Sequence, residues 1–136
     1  MSKGSDSITE ADGKMDTSLV GKLYHYRAEV LRVVDGDTFE AMVDRGDSIW
    51  SKKTIRILGI DAPEMKGPSK AAGQQARNFL ALHLASFGNR LIIKTQKADS
   101  FGRSLADCWT SDGYSVAWWM IQNGFAEATD EKGKTK

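Results

Sequence analysis

Cysteine is nearly absent: the chain has one, Cys108, among 136 residues. A single thiol excludes an internal disulfide framework and a structural zinc site built on cysteines. Surplus charge of one sign is missing too. Lys and Arg number 19 against 18 Asp and Glu, a net charge of +1. A coat of cations for non-specific nucleic-acid binding needs a surplus that this balance lacks. No apolar run approaches the ~18 residues of a membrane span. No apolar stretch follows Lys3 as a secretory leader requires, so the chain as given reads as cytoplasmic by default, or secreted if it is a mature form. What is present suits one folded domain: 40% hydrophobic and 27% charged residues in a chain of ordinary domain length.

The small net charge is unevenly spread. Residues 1–21 are dominated by Ser, Gly, Asp and Thr and show no apolar period before Leu19, so they read as a disordered N-terminal tail with net charge −2. Residues 129–136 read as a flexible C-terminal tail. The domain expected between them is 22–128, and its core, 22–126, carries +3.

Within that core the patterns alternate between periods of two and 3.6. Lys22–Val34 is a strand, with Tyr24, Tyr26, Ala28 and Val30 on one side; the run Leu31–Val34 breaks the alternation and points to a bulge. Asp35-Gly36 is a turn, Thr38–Asp44 a second strand, Arg45–Ser48 a hairpin turn, and Ile49–Ile60 a third strand. After Pro63 and a polar loop, Ala76, Phe79, Leu80, His83, Leu84 and Phe87 fall on one helical face, which Gly88 ends. Leu91–Gln96 and Ser104–Thr110 are two more strands. Ser115 is placed to cap a second helix, with Val116, Trp119 and Met120 inward and Gly124 at its end. Three strands, a helix, two strands and a helix give an α+β, mainly β, chain. A five-stranded OB-type Greek-key barrel with two packed helices fits this order.

Four polar clusters exceed what strands need. Asp35-Gly36-Asp37-Thr38 serves as a β-turn, but Asp37 at a strand start is unfavourable unless used. Arg56 interrupts the apolar strand Thr54–Leu58, where its permanent charge makes it either an edge-strand Arg snorkelling to solvent or an inward Arg paired to an anion. Asp61-Ala62-Pro63-Glu64 is a strand-to-loop turn, or a pair of hard oxygen donors of the kind that Ca²⁺ and Mg²⁺ prefer. Asp99-Ser100-Phe101-Gly102-Arg103 is a hairpin loop with a solvated Arg, or an Arg presented to clamp a phosphate bidentately. Arg45-Gly46-Asp47 reads as a turn, not an adhesion motif. Cys108 reads as a small buried hydrophobe, and Trp109, Trp118 and Trp119 as packing. His25 and His83 lack ligand spacing.

Taken in order, Asp-Gly-Asp-Thr (35–38), Ile-Arg-Ile-Leu-Gly-Ile-Asp-Ala-Pro-Glu (55–64) and Phe-Gly-Arg (101–103) before a strand resemble the staphylococcal nuclease, or thermonuclease, family over about Arg27–Ala128. The resemblance implies an OB-type barrel and a Ca²⁺-dependent endonuclease that hydrolyses DNA and RNA and leaves 3′-phosphates. It implies Asp37 and Asp61 as metal ligands, Ala62 through its backbone carbonyl, and Asp35 as an outer ligand. Glu64 resembles the residue that positions or deprotonates the attacking water. Arg56 and Arg103 resemble the two arginines on the scissile phosphate, with Lys66, Lys70 and Phe101 as further substrate contacts.

The chain departs from the family pattern in places. Ala62 stands where Thr is frequent, and Ser100-Phe101 where Lys-Tyr is frequent, so Phe101 can stack but offers no hydroxyl. The tyrosines that often follow Gly124 are replaced by Phe125-Ala126-Glu127-Ala128, and the family's third, C-terminal helix is expected to be missing from this chain. The alternative to an enzyme is a non-catalytic nucleic-acid or protein binding module of the same fold. Four carboxylates beside a phosphate site favour the enzyme, because unneutralised they repel the ligand. A monomer that makes no membrane contact is expected.

Overall fold

A computed structural model describes residues 21–99 and 101–129 of the chain. The period-two patterns become β1 (His25–Asp35), β2 (Thr38–Asp44) and β3 (Trp50–Ile57), an antiparallel meander. There follow β4 (Ile60–Asp61), a 3-10 turn (Gly67–Ser69), helix α1 (Lys70–Ala85), β5 (Arg90–Ala98), β6 (Ser104–Trp109), helix α2 (Val116–Gln122) and β7 (Glu127–Ala128). Five strands close a barrel in the order β1-β2-β3-β6-β5. Its pairings are antiparallel except that of β3 with β6. This is the five-stranded Greek-key barrel with two helices that the element order leads one to expect.

The core follows from the alternation. Phe39, Ala41 and Val43 of β2 point inward with Ile55 and Ile57 of β3, Ile93 of β5, and Ala106 and Cys108 of β6, all buried. Helix α1 lies against β1 and adds Ala76, Leu80 and Leu84; α2 adds Val116 and Met120. Each large side chain so buried contributes about 1.5–3 kcal/mol. Burial pushes the Cys108 thiol up, as expected of an inert packing residue. Ser115 caps α2 as its position foretells, its Oγ accepting from the Trp118 N–H at 3.1 Å. Among the described residues no helix is long and apolar enough to cross a membrane.

The expected bulge in β1 lies between Val30 and Arg32, and a second register shift, between Val33 and Asp35, leads into the Asp35–Thr38 turn. The stretch Ile49–Ile60, read as one strand, is divided. Gly59 takes φ +88°, a left-handed conformation open to glycine, and turns the chain out of the barrel. Ile60 and Asp61 then pair with Ala128 and Glu127 in a separate two-stranded sheet, and the Thr129 N–H donates to the Gly59 carbonyl at 2.8 Å. Two-residue strands carry no periodicity, so neither β4 nor β7 is visible in the sequence. Of the two expected tails, all but Gly21 and Thr129 lie outside the described residues.

The tryptophans divide. Trp109 stacks on His25, and Trp119 joins Phe79, His83 and Phe87 in an aromatic cluster between the helices. Trp118 is exposed and stacks on Tyr114 at the surface, with ring centroids 5.0 Å apart, so its packing is not core packing.

Candidate active site

Arg56 organises the site. On β3 it alternates with the inward Ile55 and Ile57, so it points away from the barrel interior, yet its side chain is only 15% exposed. The covering comes from the Asp35–Thr38 turn and from β4. Its Nη1 donates to the Ile57 carbonyl at 2.7 Å and to the Ile60 carbonyl at 2.9 Å, spanning the Gly59 turn. Its Nη2 stands 3.5 Å from Asp37 Oδ2 and 3.6 Å from Asp61 Oδ1. The expected pairing with anions is realised, but the expected inward direction is not: the alternation of β3 gives the interior to Ile55 and Ile57, and Arg56 finds its anions on the outer face.

Asp37 is buried and heavily engaged. Its Oδ1 accepts from the Thr38 hydroxyl at 2.9 Å and its Oδ2 from the Ala62 N–H at 2.9 Å. It is thus the Ala62 N–H that meets this cluster and ties β4 to the β1–β2 turn. Asp35 Oδ1 accepts from the Asp37 N–H at 3.1 Å. Burial, then the hydrogen bond and charge of Asp37, push the Asp35 carboxyl up to about 6. A turn that places two carboxylates this close holds more negative charge than it can comfortably ionise. Gly36 between them has no room for a side chain: a Cβ there would stand 2.7 Å from the Cβ atoms of both Ala62 and Ala76.

Glu64 follows Pro63 at the surface, its side chain exposed. Its carbonyl accepts from the Ser69 hydroxyl at 2.9 Å, which folds the loop back onto the start of α1. Lys66 and Lys70 flank this loop and are exposed. Arg103 sits on the neighbouring strand connection. The parallel register of Ile55 with Ser104 and Arg56 with Leu105, carried back one residue, sets Arg103 beside Thr54, on the face that bears Arg56. Thr54, Phe101, Gly102 and Arg103 line an open cleft there. Phe101 is 81% exposed, with the Arg103 guanidinium 5.4 Å from its ring centre. Ser100 lies outside the described residues.

The structure therefore brings together Asp35, Asp37, Arg56, Asp61 and Ala62. It places Glu64, Lys66 and Lys70 on an adjoining surface loop, and Arg103 and Phe101 at the next strand. Asp37 and Asp61 meet on the Arg56 guanidinium, and among the described residues no three His, Cys, Asp or Glu side chains converge as a metal-holding group. Sequence reasoning assigned no role to Thr38, Thr54 or Asp99. The last had a visible signal, an Asp four residues before an Arg across a glycine turn.

The family model of staphylococcal nuclease homologues matches residues 54–136, which include Arg56, Asp61, Glu64 and Arg103. The chain is 34% identical over 84 residues to a thermonuclease of Staphylococcus hyicus, covering 60% of this chain and 47% of that one. It is 33% identical over 102 residues to a thermonuclease of Staphylococcus intermedius, covering 73% and 55%. With Protein ParB of Escherichia coli it shares 33% identity over 85 residues, covering 62% and 42%. The chain spans about half the length of the curated relatives it matches. A closed five-stranded barrel whose third strand carries a carboxylate-bound Arg, matched from that strand onward, leads to one assignment: the chain belongs to the family of staphylococcal nuclease homologues.

Proposed function

We propose that the protein is a Ca²⁺-dependent endonuclease that hydrolyses phosphodiester bonds of DNA and RNA and leaves 3′-phosphates. One observation carries this reading: Arg56 on β3 is paired with the carboxylates Asp37 and Asp61, and a second arginine, Arg103, immediately precedes the adjacent strand β6 on the same barrel face.

Phosphodiester hydrolysis places growing negative charge on the phosphoryl oxygens, and preorganised cations are the largest source of stabilisation for it. Arg56 is preorganised by four partners before any substrate arrives. Arg103 borders the open cleft, where its planar fork suits two phosphoryl oxygens at once. Glu64, on its exposed loop, positions or deprotonates the attacking water as the new P–O bond forms and the bond to the 5′ oxygen breaks, the leaving 5′ oxygen taking its proton from solvent water. Lys66 and Lys70 contact the flanking backbone, and Phe101 stacks on a base or sugar.

The donor chemistry fits a hard cation. Asp37, Asp61 and Asp35 offer carboxylate oxygens and Ala62 a carbonyl, the oxygen-only set that Ca²⁺ takes. The raised proton affinity of Asp35 beside Asp37 marks excess negative charge that a cation relieves. Bound there, the ion supplies positive charge next to the phosphate. The +3 of the core is modest, so substrate binding depends on that local charge and not on a basic coat.

A second reading, a non-catalytic binding module acting on nucleic acid or protein, is favoured by the way Asp37 and Asp61 engage Arg56 instead of converging with a third ligand. Incubation of plasmid DNA and of RNA with the protein separates the two. The enzyme requires cleavage with Ca²⁺ that is lost in chelator and in Arg103→Ala. Binding without cleavage under every divalent metal supports the module.

A further inference from the structure

Arg103 is held by its own loop. Asp99 Oδ2 accepts from Arg103 Nε at 2.7 Å and pairs with Nη2 at 2.6 Å. Asp99 Oδ1 does different work: it accepts the backbone N–H of Phe101 and that of Arg103, both at 2.9 Å. The Asp99 N–H donates to the Arg103 carbonyl at 2.8 Å and the Gly102 N–H to the Asp99 carbonyl at 3.1 Å, which close the turn. One oxygen of this carboxylate shapes the loop and the other grips the guanidinium.

A guanidinium presents five N–H donors in one plane. Here the Nε–Nη2 edge is taken by Asp99, and one face lies toward the Phe101 ring. Nη1 has no partner among the described residues, which leaves the outer Nη1–Nη2 edge for a ligand beside the Thr54 cleft. The side chains are 31% exposed for Arg103 and 16% for Asp99, so water does not fully screen the pair. Burial opposes ionisation of Asp99, but the guanidinium and the two amides outweigh it and hold the carboxyl below its usual range.

We infer that Asp99 is a positioning residue: its Oδ2 occupies one edge of Arg103 and turns the other toward the phosphate, while its Oδ1 independently shapes the loop. The inference rests on the proposed nuclease reading for its effect on rate, and on the ion pair itself for its geometry. A long side chain left free would sample many rotamers and lose that orientation.

The division of labour between the two oxygens gives the test. In Asp99→Asn the amide oxygen can still accept the two backbone N–H groups, but the charge that grips Arg103 is gone. The full chain is compared as wild type, Asp99→Asn, Arg103→Ala and the double variant, with Ca²⁺ and a single-stranded DNA oligonucleotide. Asp99→Asn is expected to lower the melting temperature by no more than the loss of one part-exposed ion pair does, and to lose roughly 10- to 100-fold in kcat, with a smaller change in KM. In the Arg103→Ala background the same substitution should cost almost nothing further. The Arg103 Nε–H resonance, followed by nitrogen-15 NMR, should be protected from exchange in wild type and lose that protection in Asp99→Asn. Unchanged kcat in Asp99→Asn, or an equal loss with and without Arg103, overturns the inference while the nuclease reading stands. Should wild type cut nothing, the nuclease reading fails by itself. The resonance then decides the grip: protection lost in Asp99→Asn upholds it, and equal protection in both proteins overturns it.

Discussion

Gly73 of α1 rests directly on the backbone of Glu64. A Cβ built on Gly73 would stand 2.6 Å from the Glu64 carbonyl carbon and 2.8 Å from the Met65 nitrogen. The helix thus sets the depth of the loop that carries the proposed water-orienting carboxylate. In an open helix, Gly→Ala would gain about 1 kcal/mol of helix propensity. Here the opposing atoms are backbone and cannot rotate away, so overpacking of about 1–3 kcal/mol wins. Gly73→Ala is expected to lower the urea midpoint and, by shifting Glu64, to reduce kcat by more than tenfold. A variant of wild-type stability and activity would show that the loop yields without consequence.

Arg56→Lys tests whether the site needs a fork or only a charge. The guanidinium reaches two carbonyls and two carboxylates at once. A lysine ammonium is a point charge on a flexible stem and cannot span them. Stability should fall by about 1–3 kcal/mol as buried acceptors lose partners, and cleavage by about 10²-fold or more. Retention of most of the rate in Arg56→Lys, measured on plasmid DNA, would mean that net charge alone suffices.

How far these relationships can be read without coordinates depends on their range. Arg56, flanked by Ile55 and Ile57, announces itself because a charge in an apolar strand must find a partner. Its actual partners, the Ile57 and Ile60 carbonyls with Asp37 and Asp61, depend on the turn at Gly59, which the apolar Ile57, Leu58 and Ile60 around it conceal. The barrel strands and both helices are legible because burial imposes a period on them. Gly73 against Glu64 and Thr54 beside Arg103 are contacts between separate elements, to which no local periodicity corresponds. Asp99 with Arg103 lies between: its spacing is local, but only the loop geometry shows which oxygen does what.

Removal of the metal gives a prediction independent of cleavage. A ligand that binds the folded state alone stabilises it by RT ln(1 + [L]/Kd), about 2.7 kcal/mol at a hundredfold excess over Kd. Ca²⁺ should therefore raise the melting temperature of the wild-type chain, and chelator should reverse the rise. Asp37→Ala should abolish the increment, because it deletes the most buried of the proposed ligands. An equal rise in wild type and Asp37→Ala would place any bound Ca²⁺ elsewhere, and no rise at saturating Ca²⁺ would remove the metal from the proposal.

His83 predicts a pH dependence from outside the site. Its ring lies among Phe79, Phe87 and Trp119, and its Nε2 is buried without a hydrogen-bond partner. Burial lowers its pKa below 6.5, and the charge of Asp112 only partly offsets this. The folded state therefore holds His83 neutral where the unfolded chain has begun to bind a proton. Between the lowered folded value and the unfolded value of about 6.5, the unfolded state carries more protons, so stability rises with pH. The contribution is complete above about 6.5 and is lost as pH falls through the folded pKa. His83→Phe removes the proton-binding group, keeps an aromatic ring in the cluster, and leaves no orphaned nitrogen. Urea midpoints measured between about pH 5 and pH 7.5 should therefore fall more steeply toward acid in wild type than in His83→Phe. Parallel pH profiles would locate the acid sensitivity in other groups, such as the carboxylates around Arg56.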